Sequence, residues 1–547
     1  MKYHIITYGC QMNKSDSERI AAILDSIGCM PAASQKEAGL LLVNSCSVRQ
    51  SAINRIYGVL KNLKSASTAD LPKRREIKTI LTGCILESDK KKFADKFDLI
   101  IDIKELTKNP QKLIESLNIS NEEFKAFDYT DYFKINPQYR SNFSAYIPIM
   151  TGCNNFCSYC AVPYTRGREM SRLAEEIMAE VKRLVKKKYK EITLLGQNVN
   201  SYISQIPNNN PEYSEQITNK SFFSVIASFP SSRRKAWQSL NSHTTQKIAS
   251  VVSLPRNDKK NQLPIKNKQI NFPELLKQIN DIPGDFWIRF LTSHPKDISD
   301  ELIETMAKYE KVCEYIHLPI QSGDDEILRK MNRRYNSTHY LKLIKKIRQV
   351  YDLEDLETKF PSGNLVSKSA KNSPSKIWHP PVAISTDIIV GFPGETKKQF
   401  ENTAKIMEKV KFDMAYLAEY SPRPGTSAAK LKDNVPILEK KRRKKILNDI
   451  LKKTALANNK KYIGKTVQVL IEKIDDNFLY GKTRTFKNVR ISLPVIARSE
   501  ATKQSQNTPN AKEIASLTLA MTKIKTGQFL KVKITKASVW GLEGEIL

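Results

Sequence analysis

Short apolar runs alternate with amphipathic stretches over the first hundred residues. YHIITYG at 3–9, LLLVNSC at 40–46, KTILTGC at 78–84 and LIID at 99–102 are separated by the helix-period segments 14–28, 48–63 and 88–96. Strand-length apolar runs spaced by such segments predict a parallel α/β sheet. From about residue 140 a longer alternation begins, with strand-like runs at 145–151, 191–196, 287–292, 315–320, 384–390 and 414–420. Helical segments such as 171–188, 299–308, 337–349 and 396–410 lie between them, and six such βα units predict an open or partial barrel. After a strongly basic helix at 439–459 the period changes to two, in KTVQVLIEKI, NFLYGKTRTFKNVRI and QFLKVKITKASVWGLEGEIL, the pattern of a small β-barrel. The expected fold is therefore α/β with three parts: an N-terminal parallel α/β domain over 1–125, a central partial (β/α)6 barrel over 140–455, and a C-terminal small β-barrel over 461–547.

Three stretches break this order. Residues 203–268, 351–382 and 492–525 are rich in Ser, Asn, Lys and Pro without sustained periodicity, and read as inserted surface segments. IASVVSLPRNDK at 248–259 and IASLTLAMTK at 514–523 are loosely alike, either as a repeated inserted element or by chance between lineage-specific loops.

Composition narrows the partner. The chain has 547 residues, of which 40% are hydrophobic, too many of both for one domain or for global disorder. Lys and Arg number 90 against 57 Asp and Glu, a net charge of +33 that lies mostly outside the inserts, so nucleic acid is the leading partner class. An anionic membrane is the weaker rival, because no apolar run approaches the roughly 20 residues of a spanning helix. The opening MKYHIITYGCQMN does not read as a signal peptide, so a cytoplasmic protein is expected. Eight cysteines in a reducing compartment more often bind metal or do chemistry than form disulfides.

Cys153, Cys157 and Cys160 lie at C-x3-C-x2-C just past the first barrel strand, where barrel active sites form. Three thiolates can hold three irons of a four-iron cubane and leave the last open. S-adenosylmethionine can chelate such an iron, and one electron then cleaves its sulfonium to a 5′-deoxyadenosyl radical. A zinc site is the alternative, although it would want another Cys or His nearby and none lies within about twenty residues. Cys10, Cys46 and Cys84 are remote from one another, yet each follows a predicted strand, and a parallel sheet brings such positions to one edge. That placement points to a second open cluster, with three buried cysteines acting as small apolar residues as the alternative. Cys29 and Cys313 read as core.

With YGCQMN at 8–13, NSCSVR at 44–49, TGC at 82–84, GCNNFCSYCAVPYTRGRE at 152–169, LLGQNVNSY at 194–202, TSHP at 292–295, HLPIQSG at 317–323, DIIVGFPGET at 387–396 and YSPRPGT at 420–426, the chain resembles the methylthiotransferase family of radical S-adenosylmethionine enzymes. Gln11 after the first cysteine, where the ribosomal-protein branch typically has Pro, is similar to the branch that makes 2-methylthio-N6-isopentenyladenosine in tRNA. The resemblance implies two 4Fe-4S clusters and two S-adenosylmethionine molecules per turnover, one giving the methyl group and the other the radical that takes hydrogen from C2 of the modified adenine. It also implies a tRNA anticodon loop as substrate, an electron donor such as flavodoxin or ferredoxin, a sulfur donor, and a monomer. The C-terminal barrel resembles the TRAM module, an RNA-binding barrel. Methylthiolation of threonylcarbamoyl-adenosine or of a ribosomal protein is the alternative within the family, and a noncatalytic zinc-containing RNA-binding protein the alternative outside it.

Other residues carry weaker signals. Gly196 and Gln197 end the second barrel strand and are candidates for the methionine end of the cofactor, or a simple turn. Gly391, Gly394 and Glu395 follow the fifth strand, where glycines would admit the adenosyl group or only form a turn. Phe156 and Tyr159 are candidates to shield the cluster or pack on adenine, with packing beneath the loop as the alternative. His294 and His317 read as structural histidines rather than ligands. Arg166, Arg168 and Arg423 are candidates for tRNA phosphate or the cofactor carboxylate, and the run at 440–445 for an RNA footprint or a solvated helix face.

Overall fold

A computed structural model describes residues 1–48, 50–65, 77–108, 113, 115, 132–204, 269–351, 378–475, 477–492 and 524–547. The three expected inserts lie almost wholly outside the described residues. Met1–Tyr202 and Asn271–Leu547 form one compact unit, and Ile203–Ile270 a second, of which only the ends are described. Among the described residues no helix is long and apolar enough to cross a membrane.

The first sheet is parallel throughout, in the order β2-β1-β3-β4-β5, from β1 (Lys2–Thr7), β2 (Met30–Pro31), β3 (Leu40–Cys46), β4 (Lys78–Cys84) and β5 (Leu99–Ile100). Its central strand β3 is buried at every position. Leu40 and Leu42 join Ile20, Ile23 and Leu24 of the helix Gln11–Ser26, whereas Leu41 and Val43 join Ile53, Ile56 and Val59 of the helix Gln50–Ser65. A strand covered on both faces has no polar side to show, which is why LLLV is continuous rather than alternating. Each such side chain taken from water contributes roughly 1.5–3 kcal/mol.

The helix Gln11–Ser26 reverses the usual pattern over its first half, where Asn13, Ser15, Asp16, Ser17, Glu18 and Arg19 are all buried. This half is wedged beneath residues 132–146. Tyr132 donates to Asp16, Arg140 N–H to Glu18, and Ser15 to the Tyr146 carbonyl. Burial pushes the Glu18 carboxyl up from its ordinary 4.5 to about 7. The folded chain therefore keeps a proton that the unfolded chain loses, so stability from this group is full below about pH 4.5 and is lost as pH rises through about 7. Urea unfolding is expected to show a fall of up to about 3 kcal/mol across that window, absent in Glu18→Gln; an unchanged pH profile in the variant would contradict this account.

The middle region is an arc of parallel strands in two ladders. β6 (Ser144–Pro148), β9 (Glu191–Leu195) and β12 (Trp287–Phe290) form one; β13 (Tyr315–His317), β14 (Ala383–Val390) and β15 (Met414–Glu419) form the other. The six predicted strands are all present, but the barrel is not one continuous ladder. Ile288 N–H to Lys311 O at 2.7 Å and Cys313 N–H to Ile288 O at 3.0 Å are what join the halves. A two-stranded antiparallel pair, β7 (Met150–Thr151) with β8 (Met170–Ser171), closes the loop between them in sequence. β10 (Ile203–Ser204) and β11 (Ile270–Asn271) stand on either side of residues 205–268.

The last five strands close into a barrel in the order β16-β17-β18-β20-β19: β16 (Thr466–Ile474), β17 (Phe478–Thr483), β18 (Asn488–Ser492), β19 (Phe529–Ala537) and β20 (Leu542–Ile546). Val467, Val469, Ile471, Leu479, Ile491 and Ile534 fill it from alternate positions, as the period-two pattern requires. It docks on the arc through buried arginines. Arg289 pairs with Glu191 at 2.6 Å and donates to the carbonyls of Thr483 and Arg484, while Arg484 pairs with Glu314 at 2.8 Å.

Candidate functional site

The parallel register places Cys46 directly opposite Cys84 at the carboxyl ends of β3 and β4. Cys10 joins them at the start of the helix Gln11–Ser26, just past β1. Asn13 holds the group together: its side-chain oxygen accepts from the Cys10 thiol at 3.4 Å, and its amide donates to Asn44 at 3.1 Å and faces the Cys84 sulfur at 4.0 Å. The three cysteines are thus adjacent, as the strand-end argument requires. The Cys46 and Cys84 thiols hydrogen-bond each other, which lowers Cys46 and, with burial, raises Cys84; burial raises Cys10. The fourth participant is Arg166. Its Nε donates to Cys84 Sγ at 3.0 Å, and its Nη2 pairs with Asp16 at 2.6 Å.

The second trio lies on the loop leaving β7. Cys160 N–H donates to the Cys157 carbonyl at 2.9 Å, Asn155 donates to Cys153 Sγ at 3.4 Å, and Arg333 donates to Cys157 Sγ at 3.3 Å. Burial raises the Cys153 thiol, and burial with the neighbouring Cys157 pushes Cys160 up to about 12. Neutral thiols in such surroundings become thiolates most readily when a cation faces them, and each trio has one buried arginine in that position.

These donor sets suit iron–sulfur clusters. Among the described residues no three Cys, His, Asp or Glu side chains close on a common point as the ligands of a single ion do. A four-iron cube asks for less convergence, since each thiolate binds a different iron. Beside the second trio, Gln197 Oε1, Asn198 Oδ1, both amide atoms of Asn200 and Ser293 Oγ are buried without a hydrogen-bond partner among the described residues. They cluster at the ends of β9 and β12, where Val199 N–H reaches the Thr292 carbonyl at 3.0 Å, and Gly196 packs on Met150, three residues before Cys153. Buried polar atoms are normally paired, so this group leaves polar capacity open to a ligand.

The remaining sequence candidates fall in several places. Gly391 has a φ of +70°, and a Cβ there would collide with Lys440 of the helix Ile437–Lys460. Gly394 donates to Asn434 at 2.8 Å. Glu395 turns back to accept from Gly391 N–H and Arg443, both at 2.7 Å. Phe156 lies under Arg168 at 4.5 Å, and its carbonyl accepts from Asn332 at 3.0 Å. Tyr159 packs on the cluster of Ile327, Met331, Phe392 and Tyr420, the arrangement expected of a residue beneath the loop. His317 is bonded to Ser385 at 2.9 Å, and His294, lowered to about 2 by burial and Arg333, accepts from Lys296 N–H; both are satisfied structural histidines.

The arginine reading needs correcting. Arg166 and Arg423 do not face solvent phosphate: Arg166 is buried at Cys84, and Arg423 is buried with its guanidinium on Gln50 at 2.6 Å. In the run at 440–445, Lys440 is buried on Asp433 and Arg443 on Glu395, while Lys441, Arg442 and Lys445 are exposed. Arg333 and Asn13 were missed as partners of the cysteines. Asn13 closes the YGCQMN motif and was in view, whereas nothing local marks Arg333.

Residues 147–353 match the Radical SAM superfamily, and residues 2–103 match the Uncharacterized protein family UPF0004. The tRNA-2-methylthio-N(6)-dimethylallyladenosine synthase of Thermoanaerobacter sp. (strain X514) is 36% identical over 558 residues, covering 100% of this chain and 92% of the relative. That of Clostridium novyi (strain NT) is 36% identical over 557 residues, covering 100% and 96%. Among solved structures, the radical S-adenosylmethionine methyltransferase TsrM from Kitasatospora setae is similar at a TM-score of 0.42 and 10% identity, over 78% of this chain and 75% of that one.

Proposed function

Since this chain belongs to the tRNA-2-methylthio-N(6)-dimethylallyladenosine synthase family of radical S-adenosylmethionine enzymes, we propose that it adds a methylthio group to C2 of N6-isopentenyladenosine beside the anticodon of tRNA. The observation that carries the reading is the pair of separate cysteine trios, each set at strand ends and each facing a buried arginine. Cys153, Cys157 and Cys160 would hold one four-iron cluster and Cys10, Cys46 and Cys84 the other. Bound there, the clusters and S-adenosylmethionine would supply the one-electron cleavage and the methyl group, and the N-terminal cluster would hold or supply the sulfur.

The protein's own contribution is placement. Gln197, Asn198, Asn200 and Ser293 would take the polar end of S-adenosylmethionine on atoms that otherwise have no partner. Arg333 and Asn155 orient the thiols of the second trio, and Asn13 and Arg166 those of the first. Tyr159 and Phe392 keep the floor beneath the loop apolar and exclude water. The barrel Thr466–Ile546 would serve RNA through its exposed Arg490, Lys531 and Lys533, because Arg484 is committed to docking. A loop adenosine can be splayed from its stack far more cheaply than a paired one, which suits a base reacting at C2.

The proposal extends to a cytoplasmic monomer that receives electrons from a small donor such as flavodoxin or ferredoxin and sulfur from a separate donor, with domains over 1–125, 140–455 and 461–547. Nucleoside mass spectrometry of tRNA from cells lacking any other copy is the test. Expression of the chain is expected to restore 2-methylthio-N6-isopentenyladenosine, and Cys153→Ala to lower it at least 100-fold, to background. Product retained with Cys153→Ala, or methylthiolation found only on threonylcarbamoyl-adenosine, would overturn it.

A further inference from the structure

The loop that carries the second cysteine trio also reaches the first. It leaves β7 at Thr151, holds Cys153, Cys157 and Cys160, passes through the short helix Val162–Thr165 and returns into β8 at Met170. Its two ends are clamped together, with Cys153 N–H donating to the Gly167 carbonyl at 3.2 Å. Arg166 stands one residue before that clamp, and its side chain is 4% exposed. One edge of the fork meets Asp16, which is fully buried and also accepts from Tyr132 at 2.7 Å. The other edge meets Cys84 Sγ at 3.0 Å.

Stability alone does not account for this arrangement. Taking a guanidinium and a carboxylate out of water costs about what their attraction returns, so a buried pair is weak evidence for a stabilising role. The buried arginines away from the cysteines direct their donors to oxygen, Arg172 to Glu176 and Glu180 and Arg289 to Glu191 and two backbone carbonyls. Arg166 instead divides its planar fork between a carboxylate and a sulfur, a geometry that the guanidinium permits and an ammonium does not reproduce. Hydrogen bonds and positive charge at a ligand sulfur stabilise the more negative, reduced form of an iron–sulfur cluster.

We propose that Arg166 is a positioning residue for the N-terminal cluster, which donates to Cys84 while Asp16 holds it in place and so raises that cluster's reduction potential. The inference rests on the assignment of Cys10, Cys46 and Cys84 as cluster ligands. It also makes the loop 152–169 a fixed link between the two cofactor sites, since Cys160 of one is six positions from the residue that tunes the other.

The test is a potentiometric titration followed by electron paramagnetic resonance on the full-length Cys153→Ala chain, in which the N-terminal cluster is the one that remains. Arg166→Gln in that background is expected to keep about four irons per chain and to lower the midpoint potential. Arg166→Lys, which keeps the buried charge and so guards against misfolding of the Gln variant, is expected to lower it by less. A loaded cluster whose potential is the same in either variant as in the parent would overturn the inference. A Cys153→Ala chain that binds no iron would overturn the assignment beneath it, and the inference with it.

Discussion

Anaerobically reconstituted chain is expected to contain about eight irons and a matching amount of acid-labile sulfide, falling to about four in Cys10→Ala and in Cys153→Ala. The halving follows from the separation of the two trios. Cys10, Cys46 and Cys84 are fixed by the β3–β4 register and by Asn13, none of which involves the second loop. Cys153, Cys157 and Cys160 are fixed by the clamp at Gly167 and by Asn155 and Arg333, none of which involves the first sheet. Arg166 is a contact between them, and it survives either substitution. A single cysteine loss should therefore empty its own site and spare the other. Loss of all iron from Cys153→Ala would overturn the assignment of Cys10, Cys46 and Cys84 as ligands of a cluster of their own, and zinc in place of iron and sulfide would turn the chain into a structural RNA-binding protein.

Much of this site was legible along the chain because it is written in backbone order. Three cysteines within eight residues need no fold to bring them together. Three remote ones, each just past a strand, need only a parallel sheet, and the LLLV run of β3 announced that sheet. Cys29 and Cys313 lacked that setting and are core. What sequence did not reveal depends on contacts across the chain. Arg166 looked like a phosphate ligand because its charge was visible and its partner Asp16, 150 residues away, was not. The basic run at 440–445 is divided for a related reason: a helix turns Lys440 and Arg443 inward onto Asp433 and Glu395, while Lys441 and Arg442 stay outside. Gly391 was read as room for the adenosyl group or as a turn, and the contact that a side chain there would make with Lys440, 49 residues on, was not visible along the chain. The orphaned atoms of Asn198, Asn200 and Ser293 are a property of packing and carry no local signal beyond their strand-end positions.

Gly152→Ala is expected to cost the second cluster without touching the first. Gly152 has φ of +77°, in the left-handed region, and a Cβ there would overlap the carbonyl of Arg168 and press on that of Gly167. Neither obstacle can swing aside, since both are backbone and both belong to the clamp that shuts the loop. The substitution would then force Cys153 away from Gly167 and open the frame in which the three thiols lie. Left-handed strain alone is worth roughly 1–2 kcal/mol for a residue with a Cβ. Gly425→Ala provides that strain without the collision, because φ there is +87° and nothing lies within 4 Å of the added atom. Iron analysis should accordingly give about four per chain for Gly152→Ala and about eight for Gly425→Ala, with both variants folded by urea titration. Eight irons in Gly152→Ala would mean that the clamp does not shape the site, and would remove the loop's role as the link between the two trios.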